Sequence, residues 1–183
     1  MIWLMENLAK LDTRLTDSLR LRSENPVWHR IFSFFAHSGD SWFWLAGLGL
    51  IWLFGKTEWH NKAAFIGVVL VIESALVLVL KFAVRRRRPE GEWGAIYRNT
   101  DPHSFPSGHA SRAALLAVLA LGLGPAWFGW LLLIWAPLVS LARVTMGVHY
   151  LSDVLAGIVL GSLIGLAALH IQPWIFSLPL IFK

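Results

Sequence analysis

Residues 63–80 run between Lys62 and Lys81 with only Glu73 and Ser74 as polar interruptions. A stretch of this length and apolarity suits the hydrocarbon layer of a membrane. Lipid offers no partner to backbone N–H and C=O groups, so such a segment must be a helix or part of a closed barrel. The alternating ten-residue strands that a barrel requires are absent, and similar apolar runs recur along the chain. The fold class expected is therefore all-α, an integral-membrane helical bundle. Five spans are expected, at 41–55, 62–84, 109–123, 126–142 and 153–171. A sixth is allowed in the tail at 174–182, which is apolar but short and broken by Pro179. The 41–55 segment is short for a core of about 30 Å. Gly124-Pro125 predicts a tight hairpin, and Pro137 predicts a kink in the helix that follows.

Composition agrees. The 183 residues are 56% hydrophobic and only 15% charged, where soluble domains carry about 25% charged residues. No internal repeat or composition break divides the chain, so residues 1–183 read as one membrane domain. Cysteine is absent, which excludes disulfides, thiol catalysis and Cys-based metal sites. The formal charge of +5 suits topology signals and anionic lipid head groups. No basic face of a soluble module can be drawn, so the partners expected are membrane lipids and not nucleic acid. The sequence does not fix an oligomeric state.

Residues 1–24 carry Glu6, Lys10, Asp12 and Arg14 among short apolar stretches, unlike a cleavable signal peptide. Leu4, Leu8, Leu11, Leu15 and Leu19 recur at helical spacing, with Lys10, Arg14 and Asp17 opposite. This predicts an amphipathic helix on the membrane surface. Packing as a soluble helix on the rest of the protein is the alternative. Asn25-Pro26 is a helix start, and Ser38-Gly39-Asp40 is a break.

With five spans, the N-terminal helix, the polar connection 85–108 and the turn 143–152 fall on one face. Three polar clusters meet there, within residues 81–153. Lys81 precedes Arg88-Pro89, Pro106-Ser107-Gly108-His109 opens a helix, and Arg143, His149 and Asp153 lie close in sequence. Lys81, Arg88 and Arg143 are three cations suited to phosphate oxygens. Arg85, Arg86 and Arg87 read as positive-inside anchors. Gly108 and His109 begin a helix whose first N–H groups suit an anion, and the Ser107 hydroxyl can donate beside them or simply cap the helix. His149 and Asp153 are four apart and share a helix face, so the carboxylate can hold one imidazole nitrogen and raise the basicity of the other. His109 is a second imidazole on that face, available as a general acid.

These residues resemble the type-2 phosphatidic acid phosphatase superfamily of membrane lipid phosphatases. That pattern is a Lys six residues before Arg-Pro, then Pro-Ser-Gly-His, then Ser-Arg, five residues, His, three residues and Asp. The resemblance spans Lys81 to Asp153, with Ala142 replacing the Ser before Arg143. It implies that His149 attacks phosphorus and forms a phosphohistidine, that Asp153 orients His149, and that His109 protonates the leaving oxygen. Lys81, Arg88, Ser107, Gly108 and Arg143 would bind the phosphoryl oxygens. Positive charge from side chains covers the electrostatic need of phosphoryl transfer, so no metal and no cofactor is expected. The candidate substrates are undecaprenyl diphosphate, phosphatidylglycerol phosphate, phosphatidic acid and a lipid A phosphate. Short loops favour a simple isoprenoid or glycerolipid phosphate. A lipid phosphotransferase using the same phosphohistidine is the alternative, with a non-catalytic lipid-binding or transport protein behind it. Membrane spans set the chain apart from vanadate-dependent peroxidases, which share a similar anion site.

Outside these motifs, Glu73 is expected to hydrogen-bond a neighbouring helix, and His37 and Asp40 to cap helices. Arg98, His103 and Arg112 are candidate head-group contacts. The tryptophans read as interfacial belts. Lys10, Arg14, Arg20, Arg22 and Arg30 outnumber Lys56 and Lys62, which by charge alone places the motif face in the cytoplasm. The resemblance implies the outer face of the cell membrane, and that is the expectation taken.

Overall fold

The computed structural model describes residues 2–21, 25–90 and 101–177. Among them are seven helices and no strand: α1 (Ile2–Leu19), α2 (Pro26–Ser38), α3 (Ser41–Phe54), α4 (Thr57–Val84), α5 (Gly108–Leu123), α6 (Ala126–Thr145) and α7 (Leu151–Phe176). The helical membrane architecture thus agrees with the sequence. Three helices, α4, α6 and α7, are long and apolar enough to cross a membrane. The α3 and α5 helices are apolar but shorter, at 14 and 16 residues.

The reason α5 is apolar beyond Arg112 is its position. It packs against α7, α6 and α4, and Leu115, Leu119 and Ala113 are fully buried. Lipid is as apolar as leucine, so helices associate here through close packing. Gly157, Gly161 and Gly165 form a strip on α7 that supplies it. A Cβ at Gly157 or Gly161 would collide with the backbone carbonyl of Ser107 or Ser111. Phe65 and Leu70 of α4 and Leu132 and Val139 of α6 complete the core around α5.

Asn25 caps α2, accepting from the Val27 N–H at 2.9 Å, with Pro26 in the first turn as predicted. α6 runs through Pro137 to Thr145. α7 continues through Pro173 to Phe176, so the start of the apolar tail extends this helix, and 178–182 lies outside the described residues.

α1 docks by its polar edge. Thr16 is fully buried and accepts from the Leu151 N–H at 3.0 Å. Asp12 accepts from the Ser152 N–H at 3.0 Å. Leu8, Leu11, Leu15 and Leu19 stay exposed.

Candidate active site

Gly147 adopts φ +66° in the turn after α6, a left-handed conformation that glycine reaches without strain. Val148 and His149 then turn back, both N–H groups bonding the Arg143 carbonyl at 3.2 Å. This places His149, which is 1% exposed, over the start of α7. Its Nδ1 lies 3.6 Å from Asp153 Oδ2. Its Nε2 lies 3.1 Å from Arg88 Nη1, which donates to it. An imidazole nitrogen that accepts from a guanidinium is unprotonated, the form a nucleophile needs once a ligand takes over the guanidinium. Burial, then the charges of Arg143, Arg88 and Lys81, push the His149 pKa well below the usual histidine value.

Lys81 and Arg88 sit beside one another. Arg85 ends α4 in a left-handed conformation, and the chain then runs extended to Arg88. Lys81 Nζ bonds the Asp101 carboxylate. Arg88 Nη2 reaches the same oxygen at 2.7 Å, its Nε the Asp101 carbonyl at 2.7 Å, and its Nη1 the Val148 carbonyl at 2.9 Å. Arg143 is buried close by and contacts the Ala36 carbonyl at 3.4 Å. Three cations therefore converge near the His149 Nε2 edge, and an Asp101 carboxylate oxygen bridges two of them.

Ser107 stands at the N-cap position of α5, yet its side chain makes no capping bond. Its hydroxyl is buried without a hydrogen-bond partner, while its N–H bonds the Asp153 carbonyl at 3.0 Å. The simple capping role is thus replaced by a hydroxyl available to a ligand. Gly108 and His109 follow in the first turn of α5, where N–H groups lie outside the helical ladder. His109 Nε2 donates to Asp40 Oδ1 at 2.7 Å.

Three residues have roles that differ from the sequence reading. Arg86 is no simple anchor. It donates from Nη1 to Asp153 Oδ1 and Ser152 Oγ, each at 2.7 Å, and from Nη2 to Asp12 Oδ2 at 2.6 Å. Burial opposes its charge, but bonds to Asp12 and Asp153 outweigh this and hold its pKa above the ordinary value. Arg112 turns into the protein. It is buried, donates to the Gly39 carbonyl at 2.7 Å and lies 4.0 Å from Glu73 Oε2. Asp40 makes no helix-capping bond with its side chain. Asp101 escapes sequence reasoning, because a lone acid in a polar loop gives no signal of its own. Glu73 contacts Arg112 on the neighbouring helix, in keeping with a helix–helix role. His103 packs edge-on against Phe82, 5.3 Å between centroids. Arg98 lies outside the described residues.

Among the described residues no group of three or more His, Asp or Glu is placed to hold a metal ion. A groove of about 420 Å³ lies between Leu80 of α4 and Leu155, Val159 and Leu163 of α7, and reaches Phe105 and Pro106 beside the site. Those three α7 side chains are exposed, so the groove opens sideways.

Comparison with known proteins identifies the family. The sequence model of the PAP2 superfamily matches residues 62–177. An undecaprenyl-diphosphatase of Sulfolobus acidocaldarius is 34% identical over 76% of this chain and 68% of its own. A decaprenylphosphoryl-5-phosphoribose phosphatase of Mycobacterium tuberculosis is 36% identical over 71% of this chain and 72% of its own. A PAP2-type phosphatidylglycerolphosphate phosphatase from Bacillus subtilis shares the fold, with TM-score 0.74 at 24% identity over 92% of this chain and 88% of that one. LpxE of Aquifex aeolicus does so with TM-score 0.70 at 23% identity over 87% of this chain and 95% of that one. With the matched region running through Lys81, His109, His149 and Asp153, the chain belongs to the PAP2 superfamily.

Proposed function

We propose that this protein hydrolyses a lipid phosphate or diphosphate through a phosphohistidine on His149. The observation that carries the reading is the His149 Nε2 held 3.1 Å from Arg88 Nη1, with Asp153 behind its Nδ1. A phosphoryl group bound by Lys81, Arg88, Arg143, the Ser107 hydroxyl and the Gly108 N–H would lie beside that lone pair. Nε2 forms the P–N bond as the P–O bond to the lipid breaks, and His109 gives the leaving oxygen its proton. Water then attacks phosphorus, the P–N bond breaks, and phosphate leaves with His149 restored. Asp153, 3.6 Å from Nδ1, offsets the charge the imidazole gains.

A polyprenyl diphosphate is the substrate class best supported. The relatives of 34% and 36% identity carry names of polyprenyl phosphate chemistry, and the lateral groove suits a long apolar chain. On this reading the active site lies at the outer membrane face. Phosphate release in detergent tests the substrate class, using a polyprenyl diphosphate, phosphatidic acid and phosphatidylglycerol phosphate. The diphosphate should give the highest kcat/KM. Appearance of a new phospholipid without free phosphate would instead identify a phosphotransferase. For the membrane side, cysteines at Glu90 and Lys56, on opposite faces of this cysteine-free chain, should react with an impermeant reagent in intact cells at position 90 only.

A further inference from the structure

His149 has Asp153; His109 also has a carboxylate, and it comes from outside the residues 62–177 that the family model matches. Asp40 Oδ1 accepts from His109 Nε2 at 2.7 Å. Asp40 is the N-cap residue of α3, with φ −65° and ψ 135°. Aspartate there ordinarily accepts from a first-turn N–H. In this chain it makes no such bond, and its side chain is committed to the imidazole.

The backbone around Asp40 is fixed from three helices. Arg112 of α5 donates to the Gly39 carbonyl at 2.7 Å. Trp44 of α3 donates to the Ser38 carbonyl at 2.9 Å, and Trp135 of α6 to the Ser38 hydroxyl at 2.9 Å. Gly39 packs so closely on the ring that a Cβ there would lie 3.2 Å from His109 Cδ2. The carboxylate and the imidazole are therefore held together by packing as well as by their hydrogen bond.

We propose that Asp40 is a positioning residue for the leaving-group acid, holding His109 by its Nε2–H so that Nδ1 serves the leaving oxygen. The balance is simple: in the imidazolium the Nδ1 proton passes to the departing oxygen, and the neutral ring keeps its Nε2–H on Asp40. Arg143 and Arg112 act on this ring with like charge, while His37 Nδ1 lies 3.5 Å from Asp40 Oδ2. The Asp40 carboxylate offsets the two arginines when the ring is charged. Burial works to raise the Asp40 carboxyl, but bonding and charge from His109 outweigh it and keep it below the ordinary carboxylate range.

The inference rests on the proposed hydrolysis, and the test separates the two. Asp40→Asn, Asp40→Ala, His109→Ala and the double variant Asp40→Asn/His109→Ala are purified in detergent. Each is assayed on an alkyl phosphate and on an aryl phosphate whose leaving group needs little protonation. General acid help is typically ~10²–10⁴-fold; in Asp40→Asn, kcat should fall about 10-fold or more on the alkyl phosphate and less than about 3-fold on the aryl one. Asp40→Ala should behave alike, and the double variant should lose no more than His109→Ala. If His109→Ala depends on the leaving group but the Asp40 variants lose equally on both substrates, Asp40 is structural and the inference fails. If His109→Ala itself shows no such dependence, the acid role and the function it serves fail. Should Asp40→Asn not survive purification, Asp40→Glu replaces it, with the same leaving-group contrast expected at smaller size and its absence overturning the inference.

Discussion

Arg86 donates to Asp153 Oδ1 at 2.7 Å, so the carboxylate that faces His149 is gripped from its other oxygen. The same guanidinium reaches Asp12 of α1 at 2.6 Å. An exposed amphipathic helix is thus two hydrogen bonds from the acid behind His149. Arg86→Ala would leave Asp153 buried without this charge partner, and breaking a buried pair typically costs ~3–5 kcal/mol. Turnover should fall about 10-fold or more, with KM little changed and partial recovery in Arg86→Lys. Steady-state kinetics on a lipid phosphate checks it; a pure KM effect would place Arg86 on the substrate instead.

The pH dependence follows from His149. Attack needs the neutral ring, and burial with three nearby cations keeps it neutral below the ordinary histidine range. The acid limit of kcat/KM should therefore lie well below pH 6.5, as read from a pH–rate profile. Stability runs the same way. Below about pH 6.5 the unfolded chain binds a proton on this residue that the folded chain does not, so folding stability falls as pH drops through that window and is unaffected above it. A thermal-melt series from pH 8 to pH 5 measures this.

Charge at the site comes from Lys81, Arg88 and Arg143. Excess EDTA should leave turnover near its starting value. A loss restored only by a divalent ion would contradict that division of labour.

Gly161 packs on the Ser111 backbone. Gly161→Ala should force α5 and α7 apart and cost ~1–3 kcal/mol, the usual range for overpacking. A lowered thermal midpoint in detergent, with activity falling in parallel, is the expected outcome.

Much of this was legible in the sequence. Apolar runs announced the helices, and the spacing from Lys81 to Asp153 marked the polar groups that the fold brings together, because helical geometry fixes their separation. Supporting contacts were not legible. Arg86 stands in a run of four arginines, where nothing in the spacing marks it from Arg85 or Arg87. Asp40 and Asp12 lie 69 and 74 residues from their partners His109 and Arg86, and only the packing of α1, α2 and α3 brings them together. Arg112 read as a head-group contact one turn after His109, but its stretch of α5 is buried, and its guanidinium donates to the Gly39 carbonyl. The α7 glycines were visible as residues, but their role depends on which helix they meet.

Trapping the covalent intermediate probes the proposed role of His149 itself. Protein quenched during turnover of a lipid phosphate labelled in its phosphoryl group should carry acid-labile, base-stable label, and peptide mapping should place it on His149. His149→Ala should carry none and release no phosphate. Label that persists in His149→Ala, or that maps to another residue, would contradict the account.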